Sequence, residues 1–499
     1  MSRLNDRRWL GLAVLTVPVV LTSMDISILH MAVPTITHEL APTPGQTLWI
    51  LDSYGFLLAG LLIVMGNIGD RIGRRRLLVI GAGVFGVASL LAALAPSPEV
   101  LIAGRALMGV GGATLMPSTL SLIRNMFDDP TERTQAIGIW TAALAGGVSL
   151  GPIVGGLLLE VFWWGSIFVI NVPVVATLMI TVWLFVPEYR HPVARRLDLI
   201  SVGLSFLMIL PIVWSIKAIA DDLTVTTDAI LAAAIGVGAG IAFLLRQRRL
   251  AAPLVDIRLF GNPRFCGAVL GGSLAMFALV ALMLYNSQFL QLVVGLSPLY
   301  AALWTLPVMV AVGMMSVASA VLVRRYGHPV VFGGGAAVAA VGMIVFGFTS
   351  DQGGLAVAVT GCVLVGAGIA PMMTLATDVV VASVSASRSG AASALSETAS
   401  ELGAALGIAV LGSIGGAWYR SAVLDAVPAD IPGEGAEVIS SSLGAALAVA
   451  DQLPPGASAH LSGVAKAAFV DGSSVATLIG AAILVVAAVL CPVLLNRPR

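Results

Sequence analysis

The sequence predicts an all-α membrane protein of fourteen spanning helices, and three observations carry that prediction. Of 499 residues, 58% are hydrophobic and only 10% are charged, against roughly 25% charged in an ordinary soluble domain. The apolar residues gather into fourteen runs, at 9–36, 47–68, 77–95, 100–123, 134–157, 162–186, 199–217, 228–246, 265–291, 298–322, 329–349, 354–382, 389–418 and 472–494. A bilayer-crossing helix needs about 20 apolar residues. Of the 26 lysines and arginines, 22 lie at the termini or after even-numbered runs; only Lys217, Arg420 and Lys466 follow odd ones, with Arg105 inside a run. Positive residues stay cytoplasmic, so both termini are expected there. One miscounted run would erase this asymmetry.

The first run, Trp9 to Pro34, carries a carboxylate, Asp25, at membrane depth. Such a group costs roughly 2.5–3.5 kcal/mol on insertion scales and marks a bundle interior or a wet ion or ligand site. The run has no small-residue cleavage site and exceeds the apolar core of a signal peptide, so it is expected to remain as a helix. Cys266, Cys362 and Cys491 sit in apolar runs with no metal-ligand or disulfide spacing and read as packing residues. Asp52, early in the second run, fits two readings: an interfacial acid favoured by a helix N-terminus, or a cation-attracting group at an outer mouth.

Between the second and third runs stands Gly66-Asn67-Ile68-Gly69-Asp70-Arg71-Ile72-Gly73-Arg74-Arg75-Arg76. Its glycines permit a tight turn. Asp70 beside Arg71 and Arg74 is expected to form a charge-paired cytoplasmic latch, unless the arginines only enforce orientation. The fourth run holds Arg105 among Gly104, Gly109, Gly111 and Gly112, and the fifth holds Gly147, Gly151, Pro152, Gly155 and Gly156. Glycines four apart let helices approach closely, and a proline removes a backbone bond and permits a kink.

These three stretches closely resemble the signature loop, the buried-arginine motif and the antiporter motif of the major facilitator superfamily. That resemblance implies two six-helix halves of inverted three-helix repeats around a midplane site. Twelve helices plus two central ones is the pattern of its fourteen-helix drug:proton antiporter subfamily. The halves are then expected at 1–190 and 256–499, with two inserted helices in 191–255. Leu48 to Tyr54, Leu115 to Ser121 and Val213 to Lys217 are similar to stretches of the QacA, SmvA and LfrA group of multidrug efflux proteins. The implied activity is proton-driven export of lipophilic cations such as quaternary ammonium compounds, dyes and biguanides. The tenth run has Trp304 and Pro307 but no acid, where some relatives with a broad dication range carry one; the departure argues against a dication-specific site.

Arg105 is the expected charge partner of Asp25. Counting residues from the outer ends of their runs, the two differ in depth by only about 6 Å at helical rise. Making or breaking such a pair changes the proton affinity of the acid. In the thirteenth run Glu397 and Glu401 are four apart, on one helical face, about 13 and 19 Å from the cytoplasmic end. Asp378 is nearer that end and reads as interfacial. Gln288 and Gln291, one turn apart, either face the cavity or mark an outer helix end. On the outer side, within a loop at about 421–470, residues 435–451 and 457–470 read as two short amphipathic helices in a hairpin broken by Pro454-Pro455.

The expected function follows without the family name as well. Membrane-depth acids attract cations, Trp49, Tyr54, Trp140 and Trp304 favour amphipathic ones through cation–π contact, and no phosphate-binding loop supplies ATP energy. Coupling is then expected from protons, with no other cofactor. Asp25 and Glu397 would exchange proton and cation, with Glu401 and Asp52 supporting. No metal cluster or GxSxG nucleophile points to an enzyme. The alternative on this fold is export of an endogenous metabolite or lipid; a sensor without transport has little use for buried acids. The expected setting is the bacterial plasma membrane, with small cations and lipid as partners, no nucleic acid, and a monomer.

Overall fold

The computed structural model describes residues 2–127, 129–189, 198–222, 226–250, 257–350, 354–382, 389–424 and 433–496. The side chains of some helical residues, Asp70 and Glu397 among them, lie outside that description. Among the described residues the regular structure is helical. The first helices are α1 (Ser2–Leu40), α2 (Pro44–Ile72), α3 (Arg74–Ala93), α4 (Pro98–Met126), α5 (Pro130–Val161), α6 (Ser166–Val169), α7 (Asn171–Phe185), α8 (Leu199–Asp222) and α9 (Thr227–Arg249). Then follow α10 (Pro263–Gln288), α11 (Pro298–Leu303), α12 (Leu306–Tyr326), α13 (His328–Phe346), α14 (Leu355–Ala382), α15 (Ser389–Gly407), α16 (Ser413–Leu424), α17 (Gly433–Ser441), α18 (Leu443–Ala450) and α19 (Pro455–Leu495). Phe289–Val293 and Ile408–Gly412 wind as single π-helical turns.

Eleven described spans are long and apolar enough to cross a membrane. The expected runs at 47–68, 134–157 and 199–217 fall on α2, α5 and α8, outside those eleven, with shorter apolar stretches at Gly146–Val161 and Ile200–Ile212. Only helices that satisfy every backbone group internally, or closed barrels, can span lipid, which is why these runs read as helices throughout.

The chain divides into two compact units: Met1–Ala32 with Trp49–Gly203 and Pro298–Ala302, and Val33–Leu48 with Leu204–Ser297 and Leu303–Arg499. The first thus continues past the expected boundary at 190, and α9 with most of α8 groups with the second. In the first unit α3 packs against α4 and α7. In the second, α13 packs against α14 and α19, and α10 against α14, α15 and α19.

One expectation is corrected. Residues 457–470 do not form a separate short helix, because α19 runs unbroken over 41 residues from Pro455. A proline in the first turn is compatible with a helix start, and the alanine-rich stretch after it carries high helix propensity. The 435–451 segment is instead divided into α17 and α18 at Ser442, whose hydroxyl caps α18 by accepting from the Ala445 amide at 3.2 Å.

Candidate functional site

The apolar stretch of α1 buries Asp25 to 1% exposure, and α4 buries Arg105 equally. An isolated buried charge is prohibitive, so each must find a partner. An Nη of Arg105 donates to Asp25 Oδ2, while its Nε donates to the Ile50 carbonyl at 3.2 Å. The guanidinium lies 4.7 Å from the Tyr54 ring centre and 6.0 Å from that of Phe168. Asp25 Oδ1 has no hydrogen-bond partner among the described residues. The pair therefore leaves one carboxylate oxygen of Asp25 available for a further donor or proton.

Glycines position Arg105. A Cβ at Gly104 or Gly111 would stand 3.0 Å from Ala92 Cα or 2.7 Å from the Phe85 amide on α3; one at Gly109 or Gly112 would press on Leu57 at 2.9 Å or the Tyr54 hydroxyl at 3.0 Å on α2. So α4 is clasped on two faces, which fixes the arginine's rotation.

The antiporter-type glycines hold α1 from the other side. A Cβ at Gly147 would meet Ser23 and, at 2.7 Å, the Val20 carbonyl; at Gly151 it would meet Ser27 and, at 2.8 Å, the Met24 carbonyl; at Gly155 it would lie 2.5 Å from Ile28 Cγ1. A Cβ at Gly156 would lie 2.8 Å from the Pro298 carbonyl and Leu299 Cα. Pro152 sits within α5. At 100° per residue, Asp25 lies about 160° around α1 from Ser23 and Ser27. Hence α5 grips one face of α1 and Arg105 the opposite face.

Asp52 is 3% exposed, two residues past the carbonyl that receives Arg105; its burial disagrees with an interfacial reading. Tyr54, expected on a cavity wall, is only 1% exposed and packs under the guanidinium and against Phe85, ring centres 6.5 Å apart. Trp49 is half-buried, 6.0 Å from the Phe56 ring centre. Trp140 is half-buried and its Nε1 donates to Thr119 Oγ1 at 3.2 Å. Trp304 is exposed, in the break between α11 and α12. Sequence reasoning passed over His30, five residues after Asp25, buried and within electrostatic reach of Arg105. A lone histidine inside a membrane run was the available signal.

The loop between α2 and α3 turns at Gly73, φ 111°, a conformation only glycine adopts freely. The acid that the described residues bring to its arginines is Glu188, also passed over. The Arg75 amide donates to Glu188 Oε1 at 3.0 Å, and Arg76 Nε lies 3.9 Å from Oε2. The Arg75 side chain donates to the Val186 carbonyl at 3.1 Å and lies over Trp183 at 4.4 Å. The Arg74 amide donates to the Tyr189 carbonyl at 2.9 Å, and its side chain is buried. Arg71 is exposed. These contacts fasten the loop to the chain that follows α7. Asp70 lies outside the described side chains.

In the second unit Glu401 on α15 is half-buried; Glu397, one turn earlier, lies outside the described side chains. Gly403 and Gly407 press α15 onto the backbone of Ser273 and Phe277, where a Cβ would approach within 2.8 Å. Ser273 Oγ donates to the Ala399 carbonyl at 2.7 Å. Higher up, the Tyr285 hydroxyl donates to the Leu411 carbonyl at 2.6 Å, inside the second π turn, a feature frequent at functional sites. Gln288 lines a cavity of about 100 Å³ there, whereas Gln291 donates to Ser287 Oγ at 3.1 Å.

Residues 16–408 match a family model described as Major Facilitator Superfamily. The chain is similar to the multidrug efflux pump LfrA of Mycolicibacterium smegmatis, 42% identical over 99% of this chain and 98% of that one. It is also similar to the methyl viologen resistance protein SmvA of Salmonella typhimurium, 35% identical over 94% of each chain. Among solved structures it resembles a bacterial homologue of the human lysosomal transporter Spinster, with a TM-score of 0.69, 18% identity, and 98% and 97% of the two chains covered. That likeness bears on the fold alone.

Proposed function

This chain belongs to the major facilitator superfamily, and from that membership we propose that it exports lipophilic cationic drugs, dyes and quaternary ammonium antiseptics in exchange for protons. It is a multi-pass membrane transporter, not an enzyme. The observation that carries the mechanism is the buried Asp25–Arg105 pair, with one carboxylate oxygen that has no partner among the described residues. A proton or a substrate cation neutralises Asp25 in turn, each weakening the hold of the other and of Arg105, so that binding one favours release of the other. Glu401 and Glu397 serve the same exchange from α15, with Asp52 supporting. Names of the relatives, a multidrug efflux pump and a methyl viologen resistance protein, favour cationic and drug-like cargo.

In this reading α2, α5 and α8 are the three remaining spans, making fourteen, with α8 and α9 as the inserted pair. Both termini are cytoplasmic, the membrane is the bacterial inner membrane, the working unit is a monomer, and the cycle is alternating access. The test is ethidium or quaternary-ammonium transport in proteoliposomes under an imposed pH gradient, comparing wild type with Asp25→Asn and Glu397→Gln. Gradient-driven transport that is lost in Asp25→Asn is expected. Undiminished gradient-driven transport in that variant would remove Asp25 from the mechanism.

A further inference from the structure

The 100 Å³ cavity beside Gln288 carries chemistry opposite to that of the Asp25 site. Every lining residue belongs to the second unit, chiefly from the last turns of α1, the start of α2, the end of α10, most of α16, the start of α18 and Phe469 within α19. Its aromatic wall is built by Tyr285, Tyr419 and Phe469. Both tyrosine hydroxyls are already committed, Tyr285 to the Leu411 carbonyl at 2.6 Å and Tyr419 to the Ile439 carbonyl at 3.1 Å, so the rings offer apolar faces.

Two groups remain to recognise a polar head. Ser413 is 7% exposed, lines the cavity, and its Oγ has no hydrogen-bond partner among the described residues. A buried hydroxyl left in that state is unfavourable, and a bound acceptor would satisfy it. The only charge among the described lining residues is the guanidinium of Arg420, and no carboxylate lines the wall with it. A lipophilic cation would meet repulsion here; an acid head would meet a fork of donors suited to carboxylate, sulfonate or phosphate.

We infer that this cavity is a second ligand site, for an anionic amphiphile whose acid head engages Arg420 and Ser413 and whose apolar tail lies on Tyr285 and Phe469. It goes beyond cation export and does not depend on it, since it is read by binding without a pH gradient.

The test is calorimetric binding of decanoate, decanol and decyltrimethylammonium to the full-length protein in nanodiscs of zwitterionic lipid. Decanoate is expected to bind at least tenfold more tightly than the other two. Arg420→Gln removes that preference and Arg420→Lys keeps most of it. Gly416→Leu abolishes decanoate binding by filling the cavity, because a Cβ at Gly416, a lining position, meets nothing within 4 Å and so enters without a clash. Repeating the titration in anionic-lipid nanodiscs separates the sources: weakened decanoate binding identifies a lipid headgroup as the resident acid, and unchanged binding a free acid. Equal affinity for the three probes, tighter binding of decyltrimethylammonium, or decanoate binding indifferent to both Arg420→Gln and Gly416→Leu overturns the inference.

Discussion

Removing the two charges of the central pair singly and together separates stability from transport. In Asp25→Asn the Arg105 guanidinium stays buried at 1% exposure without its counter-charge. Breaking a buried pair from one side costs about 3–5 kcal/mol. Arg105 retains the Ile50 carbonyl and the Tyr54 face, and a desolvated cation–π contact contributes about 2 kcal/mol, so this variant falls near the lower end of that range. Arg105→Gln strands the acid and also loses the contact to Ile50. The double variant Asp25→Asn/Arg105→Gln strands no charge, and replacing a whole buried pair is often nearly neutral. A cost of at most about 2 kcal/mol is expected for it, giving a coupling of at least about 4 kcal/mol, well beyond the scatter of independent sites. Unfolding in mixed detergent–SDS micelles, followed by tryptophan fluorescence, measures all four corners. The double variant is expected to fold and yet fail to exchange protons for cation in proteoliposomes. Single costs that add to within about 0.5 kcal/mol would refute the premise that the two side chains form one electrostatic unit.

Three further outcomes are expected. Gly151→Ala drives a methyl into Ser27, so it should lower stability by about 1–3 kcal/mol as overpacking does and raise proton leak in liposomes; adding Ser27→Gly should restore part of both. Gly73→Ala combines an extended positive-φ backbone, costing about 1–3 kcal/mol, with a clash against the Glu188 carboxylate. In a Glu188→Ala background, which lacks the clash along with the Arg75 and Arg76 contacts, Gly73→Ala should cost less thermal stability than it does in the wild type. Tyr285→Phe leaves the Leu411 carbonyl without its donor and should cost about 1–3 kcal/mol; an unchanged melting temperature would mean the carbonyl is served otherwise.

Much of this architecture was legible in the chain. Apolar runs depend on local composition, and a bilayer imposes the same demand on every spanning segment, so the helical runs could be read directly. Asp25 and Arg105 stood out because a charge in such a run needs a partner, and equal depth narrowed the choice. Their union across 80 positions of sequence still required α4 to be rotated correctly, which the glycine contacts to α2 and α3 accomplish.

What only the tertiary structure decided are the identities of neighbours. Tyr54 looked like a cavity aromatic and became the floor beneath Arg105, because α2 approaches α4 at Gly109 and Gly112. Glu188 sits in an unremarkable segment after α7, and nothing in its local pattern shows that it anchors Arg75 and Arg76. The continuation of α19 through Asp471 and Gly472 was hidden by residues that resemble a loop; Gly472 is in fact small because it meets the Gly415 carbonyl on α16, 2.6 Å from where its Cβ would be. Sequence by itself determines what must be buried and at what depth, since those follow from transfer free energy residue by residue. Which side chains meet is decided by helix rotation and close approach, which depend on all the packed helices together.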